Sequence, residues 1–256
     1  MLADLTVKDF LDKVAGNDPV PGGGSIAALG GALASALATM VTGLTIGKKG
    51  YEASEEVMQH AQTLTTRFQK EFIALIDKDS EAYDEVFACF KLPKATDEEK
   101  AARSAAIQEA TRHAALIPME VARKALEVMP VIADIARLGN RNAITDACVA
   151  MMAARSAVLG ALLNVRINLG VLKDKEFVQE LQAEADRIEQ TACRKEKDYW
   201  MPSTKTYAYE QECVSNRFRR TDLRNHRTDH QRESEAGLAP EAKLAFRNAV
   251  IISTIK

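Results

Sequence analysis

The sequence is poor in aromatic residues and in cysteine. Aromatic side chains make up 5% of its 256 residues, and the four cysteines are widely scattered with no CxxC pair. Few aromatic residues and many alanines favour helices over sheets. Scattered cysteines suggest neither a zinc site nor a disulfide framework, which fits reduced thiols in the cytoplasm. We therefore expect an all-α protein, a single bundle of about six to eight helices.

A strong excess of charge of either sign is also lacking. The formal net charge is -2 at pH 7, whereas nucleic-acid-binding domains usually have a basic surface. The first ten residues, MLADLTVKDF, contain Asp4 and Asp9 and no basic segment before an apolar run. This is not the pattern of a secretory signal. We expect no nucleic-acid partner and a cytoplasmic location.

Charge is absent altogether from residues 26–46, a length that is typical of a membrane span. Only eight of these 21 residues are large and apolar; the others are six alanines, three glycines and four serines or threonines. Small residues four positions apart let helices approach closely in soluble cores as well as in membranes. Because we identify no second span in the sequence, we favour a buried core helix and no membrane partner.

Caps and apolar periodicity divide the first ninety residues into three helices. Thr6 caps a short helix that ends near Gly16, and the prolines and glycines of NDPVPGGG then form a loop. Ser25 is predicted to cap the uncharged helix, and a long helix is predicted over about residues 54–90. Its inward-facing stripe consists of Val57, Ala61, Leu64, Phe68, Phe72, Leu75, Tyr83, Val86 and Phe90.

A second long helical stretch is predicted over residues 97–138. Thr96 and Glu99 form a capping box at its start. Proline lacks a backbone N–H and its ring clashes with the preceding turn of a helix. We therefore expect Pro118 and Pro130 to kink or divide this stretch.

The remaining sequence contains two more predicted helices and an extension. Thr145 is predicted to cap a helix that ends near residue 169, and the last helix should cover about residues 174–199. Helical periodicity weakens after that. We therefore assign residues 1–200 to one helical domain and residues 201–256 to a poorly ordered C-terminal extension.

The loop before the uncharged helix contains GGGSIA, which matches the dinucleotide pattern G-x-G-x-x-A by letters. That pattern requires a preceding strand, and none is predicted here. A glycine-rich loop at a helix N-terminus nevertheless exposes backbone N–H groups that suit an anion. A tight connection between two helices is an equally good interpretation.

Asp79 is a carboxylate on a stripe that is otherwise apolar. A buried carboxylate must be hydrogen-bonded or paired, or its pKa rises, and a raised pKa suits a general acid or base near neutral pH. The alternative is an aspartate at the edge of the stripe that reaches solvent.

A second polar group lies on a face of small residues in the helix after residue 145. Asp146, Asn164 and Asn168 share this face with alanines and a glycine. Small residues leave room for a flat ligand, and an acid and amides could orient it by hydrogen bonds. Helix capping by Asp146 and close helix packing are the alternative.

Three blocks together resemble one known family. They are FLDKVAGNDPVPGGGSIAALGGALASALATMVTGLTIGKKGY, DKDSEAYDEVFACFKLPK and GNRNAITDACVAMMAARSAVLGALLNVRINL. They resemble the cyclodeaminase/cyclohydrolase family of folate enzymes, which includes the C-terminal domain of formiminotransferase-cyclodeaminase. The resemblance covers about residues 5–200 in the expected order.

The resemblance implies an all-α homodimer whose cleft binds a tetrahydrofolate derivative. The implied reaction is cyclisation of formimino-tetrahydrofolate to methenyl-tetrahydrofolate with loss of ammonia. The alternative is hydrolysis of methenyl-tetrahydrofolate to formyl-tetrahydrofolate, and a second alternative is a non-catalytic folate-binding dimer. Neither reaction requires a metal or another cofactor.

The resemblance also implies roles for the residues singled out above. Asp79 or Asp146 would transfer protons. The substrate would lie against the loop and be bound by amides, and two lysines would suit its glutamate tail. These substrate-binding residues are Pro21, Gly22, Gly23, Gly24, Ser25, Asn140, Asn142, Asn164, Asn168, Lys48 and Lys49.

Overall fold

The computed structural model describes residues 1–221, and the side chains of residues 1–198. Within these residues it is all-helical, with six α-helices and no strand, so the predicted fold class and helix number are confirmed. Three short 3-10 turns also occur, at Leu2–Asp4, Glu52–Ser54 and Arg141–Ala143. The α-helices are α1 (Val7–Val14), α2 (Gly23–Gly43), α3 (Glu55–Cys89), α4 (Asp97–Leu138), α5 (Ile144–Leu169) and α6 (Lys175–Thr221).

The chain divides into two compact units, residues 1–203 and 204–256. Of the second unit the structure describes residues 204–221, which are helical. The last helix was predicted to end near residue 199, and α6 instead continues to Thr221. The predicted poor order of the C-terminal extension concerns mainly residues 222–256, which lie outside the described residues.

Two predicted helix caps are confirmed and two are wrong. The Thr6 side chain accepts a hydrogen bond from the N–H of Asp9, and Thr96 and Glu99 form the capping box of α4. Ser25 and Thr145 were also predicted as caps, but α2 and α5 begin earlier in the sequence. Their capping residues are Gly22 and Ala143, neither of which supplies a capping side chain.

Helix α2 lies between α3 and α5, and its small residues make both contacts possible. A Cβ on Gly31 would come within 2.6 Å of the Phe72 ring on α3. On its other side, a Cβ on Gly30 would lie 3.6 Å from the Cβ of Ala157 on α5. Close approach of this kind buries apolar surface without large side chains. The predicted core helix is therefore confirmed.

Helices α2 and α5 are both long and apolar enough to cross a membrane by length and composition. The two candidate windows lie in Gly23–Gly43 and Arg141–Leu169, and 50% and 44% of them are buried inside the protein. Our sequence interpretation recognised only the first. Core helices of soluble proteins pass the same test, because they too are uncharged over a long stretch.

The apolar stripe of α3 is buried only along the length that α2 covers. Phe68, Phe72 and Leu75 are buried, as predicted. Tyr83 and Phe90 were predicted to face inward but are 39% and 52% exposed. The reason is that α2 begins beside Asp79 and therefore cannot cover the last ten residues of α3. Val57, near the other end of α3, is exposed too.

Helix α4 is continuous over its 42 residues, so the two prolines do not divide it. Pro118 has no N–H to donate to the carbonyl of Ala114, four residues earlier. The side-chain amide of Asn168 on α5 donates to that carbonyl instead, over 2.9 Å. A side chain from a neighbouring helix therefore satisfies the carbonyl that proline leaves without its usual partner.

This pairing predicts that the cost of losing Asn168 depends on Pro118. Asn168→Ala should lower the free energy of unfolding by about 1–2 kcal/mol, because it leaves a carbonyl unsatisfied. In a Pro118→Ala background the restored N–H can bond to Ala114, so the same change should cost less. A double-mutant cycle measured by urea unfolding checks this. Equal costs in the two backgrounds would contradict it.

Candidate active site

The N-terminus of α2 meets the carboxylate of Asp79 on α3. A Cβ on Gly24 would overlap this carboxylate, so only glycine lets the two elements lie so close. The Ser25 hydroxyl donates to Oδ2 of Asp79 over 2.9 Å, and the Ser25 backbone N–H donates to it too. A carboxylate from α3 therefore binds the first turn of α2, where the N–H groups and the helix dipole favour negative charge.

Ser25 is buried and links α2 to α3 through several atoms. Its hydroxyl lies 3.2 Å from the carbonyl of Ile76 and 3.2 Å from the hydroxyl of Ser80, in addition to its bond with Asp79. A hydroxyl has one proton and two lone pairs, so Ser80 can donate to Ser25 while Ser25 donates onward. The network fixes the position of the carboxylate. Ser25 is the third residue of α2, so it lies inside the helix and is not its cap.

Two opposing effects set the pKa of Asp79. Burial raises it, and the hydrogen bonds from Ser25 lower it, with a net pKa above the ordinary aspartate value. Asp79 is nevertheless only half-buried. It is thus anchored by α2 and still accessible, which is the state that a proton-transfer group requires.

Asn164 of α5 flanks the opposite side of the α2 N-terminus. A Cβ on Gly23 would lie 3.0 Å from its Nδ2 atom. That atom donates to the carbonyl of Gly160 over 2.8 Å. The structure therefore brings Gly23, Gly24, Ser25, Asp79 and Asn164 into one place. Gly22, which caps α2, and the buried Pro21 immediately precede it.

Sequence reasoning missed an aromatic pair beside this group. Tyr83 and Phe87 lie one and two turns beyond Asp79 on α3, where α2 no longer covers the helix. Their ring centroids are 6.4 Å apart and the ring planes differ by 12°. The signal was present as a spacing of four residues, but Tyr83 was assigned to the core stripe and Phe87 was not singled out.

Several predicted site residues lie at the other end of α2. The Asn140 side chain donates to the carbonyl of Leu44 over 3.0 Å and accepts from the N–H of Asn142. It thereby ties the α4–α5 connection to the end of α2. Lys48 and Lys49 follow the same end. Because α2 has 21 residues, this group lies about 30 Å from Gly23.

Asp146 is also remote from Asp79 within one chain. Helix α5 runs antiparallel to α2, since Gly23 meets Asn164 and Gly30 meets Ala157. Asp146 precedes Asn164 by 18 residues on α5, or about 27 Å along the axis. The two aspartates were predicted as alternatives for one role, and a single copy does not bring them together. Asn168 lies near Asn164, but its amide is engaged with Ala114.

No group of three or more histidine, cysteine, aspartate or glutamate side chains able to hold a metal ion occurs in the part of the chain that the structure describes. The polar atoms at the α2 N-terminus are one carboxylate, one hydroxyl, one amide and backbone N–H groups. This set can bind a flat polar ligand, stabilise a developing negative charge and transfer a proton.

Comparison with known proteins gives consistent matches. The model of the formiminotransferase-cyclodeaminase family matches residues 6–187. Methenyltetrahydrofolate cyclohydrolase of Methylorubrum extorquens is 40% identical over 188 residues, which are 73% of this chain and 90% of that protein. Rat formimidoyltransferase-cyclodeaminase is 31% identical over 191 residues, which are 75% of this chain but 35% of that protein.

A solved structure agrees with these matches. The crystal structure of formiminotetrahydrofolate cyclodeaminase from Thermotoga maritima superposes with a TM-score of 0.70 at 29% sequence identity. The match covers 78% of this chain and 96% of that one. The residues matched by the family model include both α2 and α3, and thus Asp79. The chain therefore belongs to the formiminotransferase-cyclodeaminase family, among relatives that are named as enzymes acting on folate derivatives.

Proposed function

We propose that the protein is a methenyltetrahydrofolate cyclohydrolase in which Asp79 transfers the proton. The observation that carries this proposal is the accessible carboxylate at the α2 N-terminus, whose pKa is raised by burial. The 40% identical cyclohydrolase, matched over 90% of its length, favours hydrolysis over deamination. Our sequence interpretation had placed deamination first.

Hydrolysis at this site needs one group that first accepts and then returns a proton. Water adds to the carbon that bridges two folate nitrogens, and Asp79 takes the proton that the water loses. The bond from this carbon to one nitrogen then breaks, Asp79 returns its proton to that nitrogen, and the remaining hydroxyl proton is released to solvent as the formyl C=O forms. The first turn of α2 stabilises negative charge that develops beside it. No step needs a metal or a redox cofactor.

Formimino-tetrahydrofolate cyclodeamination is the second candidate. It is favoured by the structural match to the Thermotoga maritima cyclodeaminase. In that reaction a folate nitrogen attacks the formimino carbon and ammonia leaves. The same carboxylate would protonate the departing amine, so one site geometry suits both reactions.

The reaction and the role of Asp79 can be tested together. Purified protein should consume methenyl-tetrahydrofolate well above the spontaneous rate, measured by its absorbance. Asp79→Asn should lower this rate by about 10²–10⁴-fold, because the amide cannot accept the proton. Release of ammonia from formimino-tetrahydrofolate, without hydrolysis, would establish the second candidate instead.

Asp77→Asn is the matched control for Asp79→Asn. Asp77 is a second aspartate of α3, but it is buried and accepts a hydrogen bond from the backbone N–H of Leu2. An asparagine oxygen can accept that bond as well. We expect Asp77→Asn to keep its activity. Near-normal turnover of a well-folded Asp79→Asn variant would show that Asp79 is not the proton-transfer group.

The pH profile gives a test that is specific for Ser25. The base form of Asp79 is lost as the pH falls through its raised pKa, so kcat/KM should fall on the acid side. Ser25→Ala removes a hydrogen bond that lowers this pKa, so the acid limb should move to higher pH. Asp79→Asn should abolish the limb. An unchanged limb in Ser25→Ala would contradict the assignment.

We also propose that the protein forms a homodimer through one face of α2 and α5. Leu33 of α2 is 54% exposed, and Leu163 and Ile167 of α5 are 66% and 74% exposed. The exposed residues of α2 recur seven positions apart, and both stripes lie on the same side of the α2–α5 pair. A continuous apolar face of this kind marks an association surface.

A two-fold axis across this face would explain how Asp146 could contribute to the site. If the axis passes near the middle of α2, the Asp146 end of one copy approaches the Asp79 end of the other. Each cleft would then contain residues of both copies. Lys48 and Lys49 lie at the same end as Asp146.

Leu163→Glu should weaken the dimer by roughly 100-fold or more, because it buries an unpaired charge. Sedimentation at several concentrations measures this. Leu92→Glu, at an exposed leucine of the α3–α4 turn, is the control and should leave the mass unchanged. A stable dimer of Leu163→Glu would contradict the proposed interface.

A further inference from the structure

The face of α3 that carries Asp79 continues as a row of uncovered side chains. Tyr83 and Phe87 follow Asp79 at intervals of four residues and are 39% and 50% exposed. Helix α2 begins beside Asp79, so it leaves these two rings open. The row therefore starts at the proposed proton-transfer group and extends away from it for two turns, about 12 Å.

The two rings form an exposed, nearly parallel apolar pair. Their planes differ by 12°, and their centroids are 6.4 Å apart along the helix. Exposed aromatic rings beside a polar site are suited to stacking with a planar ligand group. Phe68 and Phe72 form a second close pair on the same helix, but they are buried in the core. Only the pair past Asp79 can meet a ligand.

Two lysines lie near the end of this row, beyond Phe87. The ammonium of Lys91 lies 4.7 Å from the centroid of the Phe87 ring, and Lys94 is exposed three residues later. Among residues 1–198, neither lysine has a carboxylate within ion-pair distance. The nearby carboxylates are engaged, since Asp97 pairs with a lysine of α4 and Glu99 caps that helix.

We propose that Tyr83 and Phe87 stack with the aminobenzoyl ring of the folate substrate, and that Lys91 and Lys94 bind its glutamate carboxylates. The inference rests on the proposed folate chemistry at Asp79. The ligand has the same order of groups as the helix: a reacting carbon, an aromatic ring and an anionic tail. The Lys91 ammonium lies beside the Phe87 ring, which is eight residues past Asp79 and so about 12 Å along the helix, and a ring with one or two glutamates covers a comparable length.

This arrangement replaces the assignment of the tail to Lys48 and Lys49. Those lysines follow the C-terminal end of α2, about 30 Å from Gly23 in the same copy, so they could reach the tail only from the second copy of the proposed dimer. Lys91 and Lys94 both lie in the connection that directly follows α3, the helix that holds the carboxylate. One copy then binds the reacting carbon, the ring and the tail along α3.

Charge reversal tests the proposed tail site. The substrates are methenyl-tetrahydrofolate with one glutamate and with three glutamates, and the corresponding methenyl-tetrahydropteroate, which has none. Lys91→Glu/Lys94→Glu should raise KM for the triglutamate substrate about tenfold. It should leave KM for the pteroate substrate unchanged. The rise in KM should therefore grow with the number of glutamates.

Lys8→Glu/Lys70→Glu is the matched control. Both lysines are exposed and the change in net charge is the same. This variant should keep the wild-type dependence on tail length. Loss of the tail-length dependence of KM in Lys8→Glu/Lys70→Glu would overturn the proposed tail site. So would its loss in Lys48→Glu/Lys49→Glu while Lys91→Glu/Lys94→Glu keeps it.

Ring variants test the other half of the proposal. Tyr83→Ala and Phe87→Ala should each raise KM about 2- to 10-fold for all three substrates, the pteroate included. Tyr83→Phe keeps the ring and should retain the wild-type KM. Equal loss in Tyr83→Phe and Tyr83→Ala would assign the effect to the hydroxyl and overturn the stacking role.

Calorimetric titration of the same ligands separates the two proposals. The wild-type protein could bind the ligands in a way that depends on tail length and on Lys91, and yet show no turnover. That result would reject the proposed activity and keep this inference. Turnover by the wild-type protein, with tail dependence unchanged in Lys91→Glu/Lys94→Glu, would reject only this inference. Absence of binding by the wild-type protein would reject both.

Discussion

The contact between the first turn of α2 and the carboxylate of Asp79 is the constraint on which the rest of the structure depends. It requires glycine at position 24, because any side chain there would overlap the carboxylate. It also leaves the first N–H groups of α2 facing a negative charge rather than a cap of their own. The same contact therefore lies where α2 begins, anchors α3 and places a half-buried acid beside the N-terminus of α2. This one interaction both holds α2 against α3 and positions the proposed proton-transfer group.

The position of that contact decides which parts of α3 are core and which are site. Helix α2 covers α3 as far as Asp79, and the same face of α3 then emerges with Tyr83 and Phe87 uncovered. The apolar stripe of α3 is therefore part of the core before Asp79 and part of the proposed site after it. The change occurs where the neighbouring helix begins. In the opposite direction the stripe packs Phe72 against Gly31, where only glycine leaves room for the ring.

Local signals in the sequence predicted most of the fold. Caps such as Thr6 and Thr96 act through neighbouring backbone groups, so they are readable without the tertiary structure. Ser25 was misread as a cap because its partners, Ile76 and Asp79, lie more than fifty positions away. The continuity of α4 at Pro118 was missed for the same reason, since the compensating amide belongs to Asn168. Such long-range partners leave no periodic pattern.

The candidate site was predicted in part, and the reason for the limit is geometric. A helical projection shows which residues share a face but discards their height along the axis. Asp146 and Asn164 share a face of α5 and are still about 27 Å apart, so only Asn164 lies beside Gly23. Asp79, Tyr83 and Phe87 share a face within two turns, so for them a common face also means proximity. Residues on one face can form one site only when the neighbouring helices leave the same short length of that face uncovered.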